Sequence, residues 1–150
     1  MEIKILGATL LSEEEYKSNN DLIKYSGGDW WLRTPETYYT YDSDNYCGNV
    51  LIVLSSGGID IANTSCPEFE VVPSLILQNK TLPIGSKLTY AGQTFTVLRN
   101  GLALCDKRVC QMAFRKDWES PYANDYDASD VKKWVDSWFS KNGDIAETTE

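Results

Sequence analysis

Histidine is absent from all 150 residues. That gap removes Ser-His-Asp and Cys-His nucleophilic arrangements and every histidine-based metal site. Basic residues are scarce as well: 14 Lys and Arg stand against 22 Asp and Glu, a formal charge of −8. Duplex and single-strand binders carry a basic stripe that displaces counterions, and none runs through this chain. Lys107, Arg108, Arg115 and Lys116 come nearest, and acids flank and interrupt them. Long apolar runs are missing too, the longest being Val50 to Leu54, far short of a membrane span. No basic segment followed by an apolar core opens the chain, so reduced thiols in a cytoplasm are expected. The cysteines Cys47, Cys66, Cys105 and Cys110 include no pair separated by two residues, which argues against zinc ribbons and redox pairs. No cofactor and no membrane partner is implied.

Aromatic residues are what the chain has in quantity: five Trp, nine Tyr and four Phe. They demand a substantial core or an adhesive surface. The length suits one domain. Ile3 and Ile5 alternate in a strand from Glu2 to Leu6, and Ser12 with Glu15 forms a capping box for a short helix over Glu13 to Ser18. Asp29 to Leu32 reads as a strand ending at Arg33-Thr34-Pro35. Val50 to Leu54 and Ile59 to Ala62 flank Gly57-Gly58 as a hairpin, and Phe69 to Leu77 reads as a strand bent by Pro73. Beyond a seam at residues 78–83, Lys87 to Tyr90 and Thr94 to Leu98 form a second hairpin about Ala91-Gly92. Asn100-Gly101 signals a turn into a strand over Leu102 to Cys105. Val131, Trp134, Val135, Trp138 and Phe139 make one helical stripe, capped at Asp127 or Ser129 and closed by Gly143. The expected fold is α+β: a mostly antiparallel sheet built from hairpins, a short N-terminal helix and an amphipathic C-terminal helix. It fills residues 1–143 as subregions 1–80 and 81–143, with 144–150 a frayed tail.

Two segments stand apart as candidate surfaces. Residues 36–49 follow no period and set Tyr38, Tyr39, Tyr41 and Tyr46 among Asp42, Asp44 and Asn45, a composition that suits either a cover over the core or a protein-binding surface. Residues 118–127 are aromatic, acidic and irregular, and rank second. Adjacent Trp30 and Trp31 point to opposite faces of a strand, so one is core and the other lies in a second layer, under a loop or at a binding surface. Arg33 either pins the long loop 36–49 through carboxylates or carbonyls or receives an anionic ligand. Asp42, Asp44 and Asn45 begin like a calcium loop, but Cys47 and Val53 stand where Gly and Glu are wanted. Asp125, Asp127 and Asp130 are accounted for by a helix N-terminus.

The run Trp30-Trp31-Leu32-Arg33-Thr34-Pro35 resembles the Trp-Trp-Leu-Arg-Ser-Pro hallmark of an uncharacterised domain family of gut bacteria and their phages. The hairpin Val53 to Ile61 and the strand Val71-Val72-Pro73-Ser74-Leu75 resemble the hairpin and strand that follow in that family, and the stretch from Ile84-Gly85 to Ser129-Asp130-Val131 is similar to its short phage versions. The resemblance implies a lectin-like first half by analogy of fold, which transfers no activity. Val72 stands at the family's second hallmark arginine, so an anion site needing both arginines is not implied.

The functional expectation is a non-enzymatic phage or prophage-type accessory protein that binds a protein partner with a basic surface. Its sharpest version inhibits a host defence or nucleic-acid-handling complex, in the manner of an anti-CRISPR protein. The binding residues expected are Tyr38, Tyr39, Tyr41, Asp42, Asp44, Trp31 and Arg33. A lectin-like ligand or receptor module using Trp and Tyr platforms, and a hydrolase, are the alternatives.

Overall fold

The alternating apolar residues at the start of the chain form β1 (Glu2–Thr9) in the computed structural model, which describes residues 1–23, 25, 27–36, 48–117 and 123–149. Helix α1 (Glu13–Asn19) follows, and its capping box is complete: Ser12 Oγ accepts from the Glu15 N–H while Glu15 Oε1 accepts from the Ser12 N–H. Strands β2 (Trp30–Pro35), β3 (Asn49–Val53), β4 (Ile59–Asn63), β5 (Glu70–Val71) and β6 (Ser74–Leu77) come next. They precede β7 (Lys87–Tyr90), β8 (Gln93–Val97), β9 (Leu102–Cys105) and β10 (Cys110–Gln111). Helix α2 (Asp130–Asn142) and β11 (Ile145–Thr148) complete the chain. The architecture is α+β and mostly antiparallel, as expected from the hairpin and helix signals.

Six strands close into an antiparallel barrel in the order β1-β11-β7-β8-β9-β6, and β6 pairs back onto β1. Closure removes the free edges that an open sheet would expose. The β1–β6 register slips between Ile5 and Gly7, a bulge that bends the strand at Leu6. Ala91-Gly92 and Asn100-Gly101 both carry consecutive positive φ angles, so the β7–β8 and β8–β9 turns have the twist tight hairpins require. The other five strands form a sheet ordered β10-β5-β2-β3-β4, antiparallel except where β2 runs parallel to β5.

Three sequence expectations are corrected here. Phe69 to Leu77 is not one bent strand: it breaks at Val72-Pro73, where β5 ends in the open sheet and β6 begins in the barrel. Proline has no N–H for the ladder, so pairing stops there. Val72 lies buried in the core. Second, the seam at 78–83 does not divide two modules. The barrel takes β1 and β6 from one side of it and β7, β8, β9 and β11 from the other. Third, residues 145–148 do not fray. They form β11, which pairs with β1 through Glu2–Glu147, Ile3–Ala146 and Lys4–Ile145, and with β7 through Thr89–Glu147 and Leu88–Thr148.

Two apolar clusters sit on opposite faces of β2. Ile3, Ile5, Trp30, Leu77, Leu88 and Phe95 belong to the first; Leu10, Trp31, Val50, Val71 and Phe114 belong to the second. Helix α2 reaches both. Val131 and Val135 enter the second cluster, whereas Trp138 and Phe139 lie against the first, with Trp138 edge-on to Tyr90 at 5.4 Å. Full burial of each valine contributes roughly 1.5–3 kcal/mol. Ser129 Oγ caps the helix by accepting from the Lys132 N–H at 3.0 Å, and Gly143 closes it at φ 81°. Among the described residues no helix is long and apolar enough to cross a membrane.

Candidate functional site

Trp31 and Arg33, the two side chains of β2 that the sequence nominates for binding, are structural. Trp31 is 0% exposed, its Nε1–H donates to the Met112 carbonyl at 2.9 Å, and its ring meets Phe69 at 5.0 Å and Phe114 at 5.4 Å. Trp30 is buried on the other face against Tyr16 and Tyr25, both at 5.7 Å. The opposed directions follow from the strand period, but both directions lead into core because β2 is covered on each face. Neither indole offers a sugar platform. Arg33 donates to both carboxylate oxygens of Glu15, at 2.6 and 3.2 Å, and to the Leu10 carbonyl. This fork joins β2 to α1, so among the described residues Arg33 pins the helix and the Leu10 carbonyl, not the long loop for which the sequence nominated it. Burial works against the Glu15 charge, yet the Arg33 guanidinium and the Ser12 N–H outweigh it and hold the carboxyl below its ordinary pKa. Tyr38, Tyr39, Tyr41, Asp42 and Asp44 lie outside the described residues.

The stems of the two irregular segments nevertheless meet. The Glu36 N–H donates to the Asn49 carbonyl at 3.0 Å, closing the base of the tyrosine-rich segment. Asn124, only 7% exposed, then donates Nδ2–H to the same Asn49 carbonyl at 3.1 Å and to the Glu36 carbonyl at 3.4 Å. Asn124 lies within the other segment, after the buried Ala123. One amide therefore ties the second segment to both ends of the first. A buried amide with two carbonyl acceptors is a strong orienting device, because leaving those groups unpaired costs free energy. No local pattern in the sequence marks Asn124: its partners lie 88 and 75 positions away.

Beside this junction runs a groove of about 730 Å³. Ala8 and Thr9 of β1, Arg33 to Pro35 of β2 and Ile76 of β6 form its floor and one wall; Asn124 to Asp127 and Lys132 form the other. The second wall is held by a single helical turn over Tyr126–Ala128, in which Asp125 Oδ1 accepts from the Asp127 N–H at 3.0 Å. Tyr126 packs on Phe114 at 6.1 Å, and its enclosed hydroxyl lies beside Thr9 and Leu10 without closing a well-formed hydrogen bond; burial raises its pKa. The two bases of the groove are both engaged: Arg33 by Glu15, and Lys132 by Asp136 at 2.6 Å. The Asp136 pair raises the Lys132 pKa. Asp125 and Asp127 are exposed at the lip. Elsewhere the pattern is the same: among the described residues Lys4, Lys17, Lys87, Arg99 and Arg108 also stand in ion pairs.

Among the described residues no cluster of three or more Cys, Asp or Glu is arranged to hold a metal ion. Cys66, Cys105 and Cys110 are free thiols, and Cys47 lies outside the described residues. Burial pushes the Cys105 and Cys110 thiols up to about 11, the reverse of what a nucleophile needs. Fold and site together define an α+β domain built on a closed antiparallel barrel, with an acid-lipped groove beside two joined loop stems. No protein family, no curated protein and no solved structure matches the chain.

Proposed function

We propose that this protein is a non-enzymatic binding protein whose partner is a protein with a basic surface, engaged through the face where the two loop stems meet. The observation that supports it is the Asn124 junction, which joins Asn124 to Glu36 and Asn49 beside an acid-lipped groove. Tyr, Asp and Asn together make contact area at low entropic cost, and a surplus of negative charge speeds encounter with a cationic surface. The phage-type resemblance extends this to an accessory protein that occupies a cationic groove of a host defence or nucleic-acid-handling complex. The lectin-like reading loses support from the burial of Trp30 and Trp31.

The test is capture of host proteins on the immobilised chain at graded salt, repeated with Tyr39→Ala plus Tyr41→Ala and separately with Asp42→Asn plus Asp44→Asn. Retention should weaken as salt rises, because screening shortens the reach of the exposed acids. Both variants should keep the wild-type melting temperature and lose the captured partner. If both stay folded and retain it fully, the binding face lies elsewhere.

A further inference from the structure

We propose that the groove between β1, β2 and the Asn124–Asp127 wall is a subsite for one arginine or lysine side chain presented by the partner. This rests on the protein-binding reading above and names the chemistry of its central contact. Three features of the groove select that occupant.

The first is charge. A groove with Arg33 and Lys132 on its walls looks suited to an anion, but neither cation is available. Arg33 spends its guanidinium on Glu15 and the Leu10 carbonyl, and Lys132 holds Asp136. An incoming phosphate or carboxylate must break one of these pairs and then meet Asp125 and Asp127 at the lip. A cation meets the two carboxylates with no hydrogen-bonded ion pair to break, since Lys132 bonds Asp136 and acts on Asp127 only through its charge.

Shape supplies the second feature. Ala8, Pro35 and Ile76 give the groove an apolar side, which suits the methylene stem of a long basic side chain while its head stays at the polar lip. A volume of about 730 Å³ exceeds what one side chain fills, leaving space for the flanking backbone of a peptide. A short anion or a metal ion has no use for the apolar side.

The third is rigidity. Asp125 is held by its own turn, since one oxygen accepts from the Asp127 N–H, and Ser129 fixes the next turn by donating Oγ–H to the Tyr126 carbonyl at 2.7 Å. Asn124 anchors the start of the same wall. The two carboxylates are thus presented from a braced segment, and little ordering is left to oppose binding.

The experiment titrates the full chain, ¹⁵N-labelled, with the peptide Gly-Arg-Gly-Arg-Gly and with its citrulline counterpart, which keeps the shape and removes the charge. Saturable amide shifts are expected at Ala8, Thr9, Asp125 and Asp127, with the citrulline peptide at least about tenfold weaker, the margin one well-made charged contact supplies. Asp125→Asn with Asp127→Asn should weaken the arginine peptide by about the same factor. Asparagine retains the oxygen that caps the turn, so the melting temperature should hold, and that measurement separates lost recognition from lost folding. Equal binding of the two peptides, or shifts scattered over the acidic surface without saturation, overturns the proposal. So does a neutral oligosaccharide that shifts the groove amides where the arginine peptide leaves them unmoved. If the peptide bypasses the groove while a captured partner still docks on this face, the side-chain subsite is refuted and the protein-binding reading stands.

Discussion

Deleting residues 144–150 should unfold the barrel rather than trim a tail. Strand β11 lies between β1 and β7 in the barrel, so its removal converts a closed barrel into an open sheet with two new edges. Beyond the ladders, three backbone bonds disappear: Ile5 N–H to Asp144 O at 2.7 Å, Thr148 N–H to Met1 O at 3.0 Å and Thr149 N–H to Lys87 O at 3.0 Å. Each contributes about 0.5–1.5 kcal/mol net. Ile3, Ile5 and Leu88, all buried, lose cover on the side that Ala146 now closes. Full burial of each is worth roughly 1.5–3 kcal/mol, so partial exposure of three costs several more. The total, roughly 5–8 kcal/mol, rivals the roughly 5–15 kcal/mol that holds a domain of this size together. Circular dichroism melts and urea titrations of the chain ending at Gly143 should therefore show no cooperative transition, or one at much lower temperature. Ala146→Asp should act in the same direction, because it sets an unpaired charge at a position 0% exposed. Glu147→Ala, on the outer face of the same strand, should change stability by no more than about 0.5 kcal/mol. A truncated chain that melts within about 2 °C of the full one would refute the closure argument, since even 1 kcal/mol moves a domain this size by that much.

Two further predictions test the interior. Cys105, buried with its thiol pushed up to about 11, should resist a thiol reagent at pH 8 in the native protein and react fully once unfolded; rapid native modification, mapped by mass spectrometry, would contradict its burial. Glu15 has a folded pKa below its unfolded one, so the stability it contributes is present above the unfolded value of about pH 4.3 and is lost as pH falls through the lower folded value. Replacing it with Gln should flatten the stability profile in that acidic window, and an unchanged slope there would mean the Arg33 fork carries no linkage.

Much of the fold was legible because its signals are local. The Ser12–Glu15 box, the Asn100-Gly101 turn and the Val131-to-Phe139 stripe each lie within a few residues, and each formed as read. Helix caps and turns draw their stability from neighbours in the chain, so sequence spacing reports them directly. The opposed directions of Trp30 and Trp31 were equally legible, being a property of any strand. Which of those directions ended in core was not: that depended on α2 and Phe114 arriving on one face and α1 on the other.

The candidate site divides along the same line. Composition nominated both irregular segments and the surplus of acids, but the partner of Arg33 and the role of Asn124 were invisible. Each depends on a residue brought near only by folding, Glu15 across the α1–β2 packing and Glu36 with Asn49 across most of the chain. β11 is the sharpest case. Ile145-Ala146-Glu147-Thr148 carries one inward residue, too little pattern to announce a strand, and it became one because β1 and β7 presented two unpaired edges a single strand's width apart. By itself the sequence determined the helices, the hairpins and the acidic balance, whose energies are local or additive. Only the tertiary structure decided the barrel, the double burial of β2 and the joining of the loop stems, because backbone groups left at an edge or a buried amide find their partners wherever the fold delivers them.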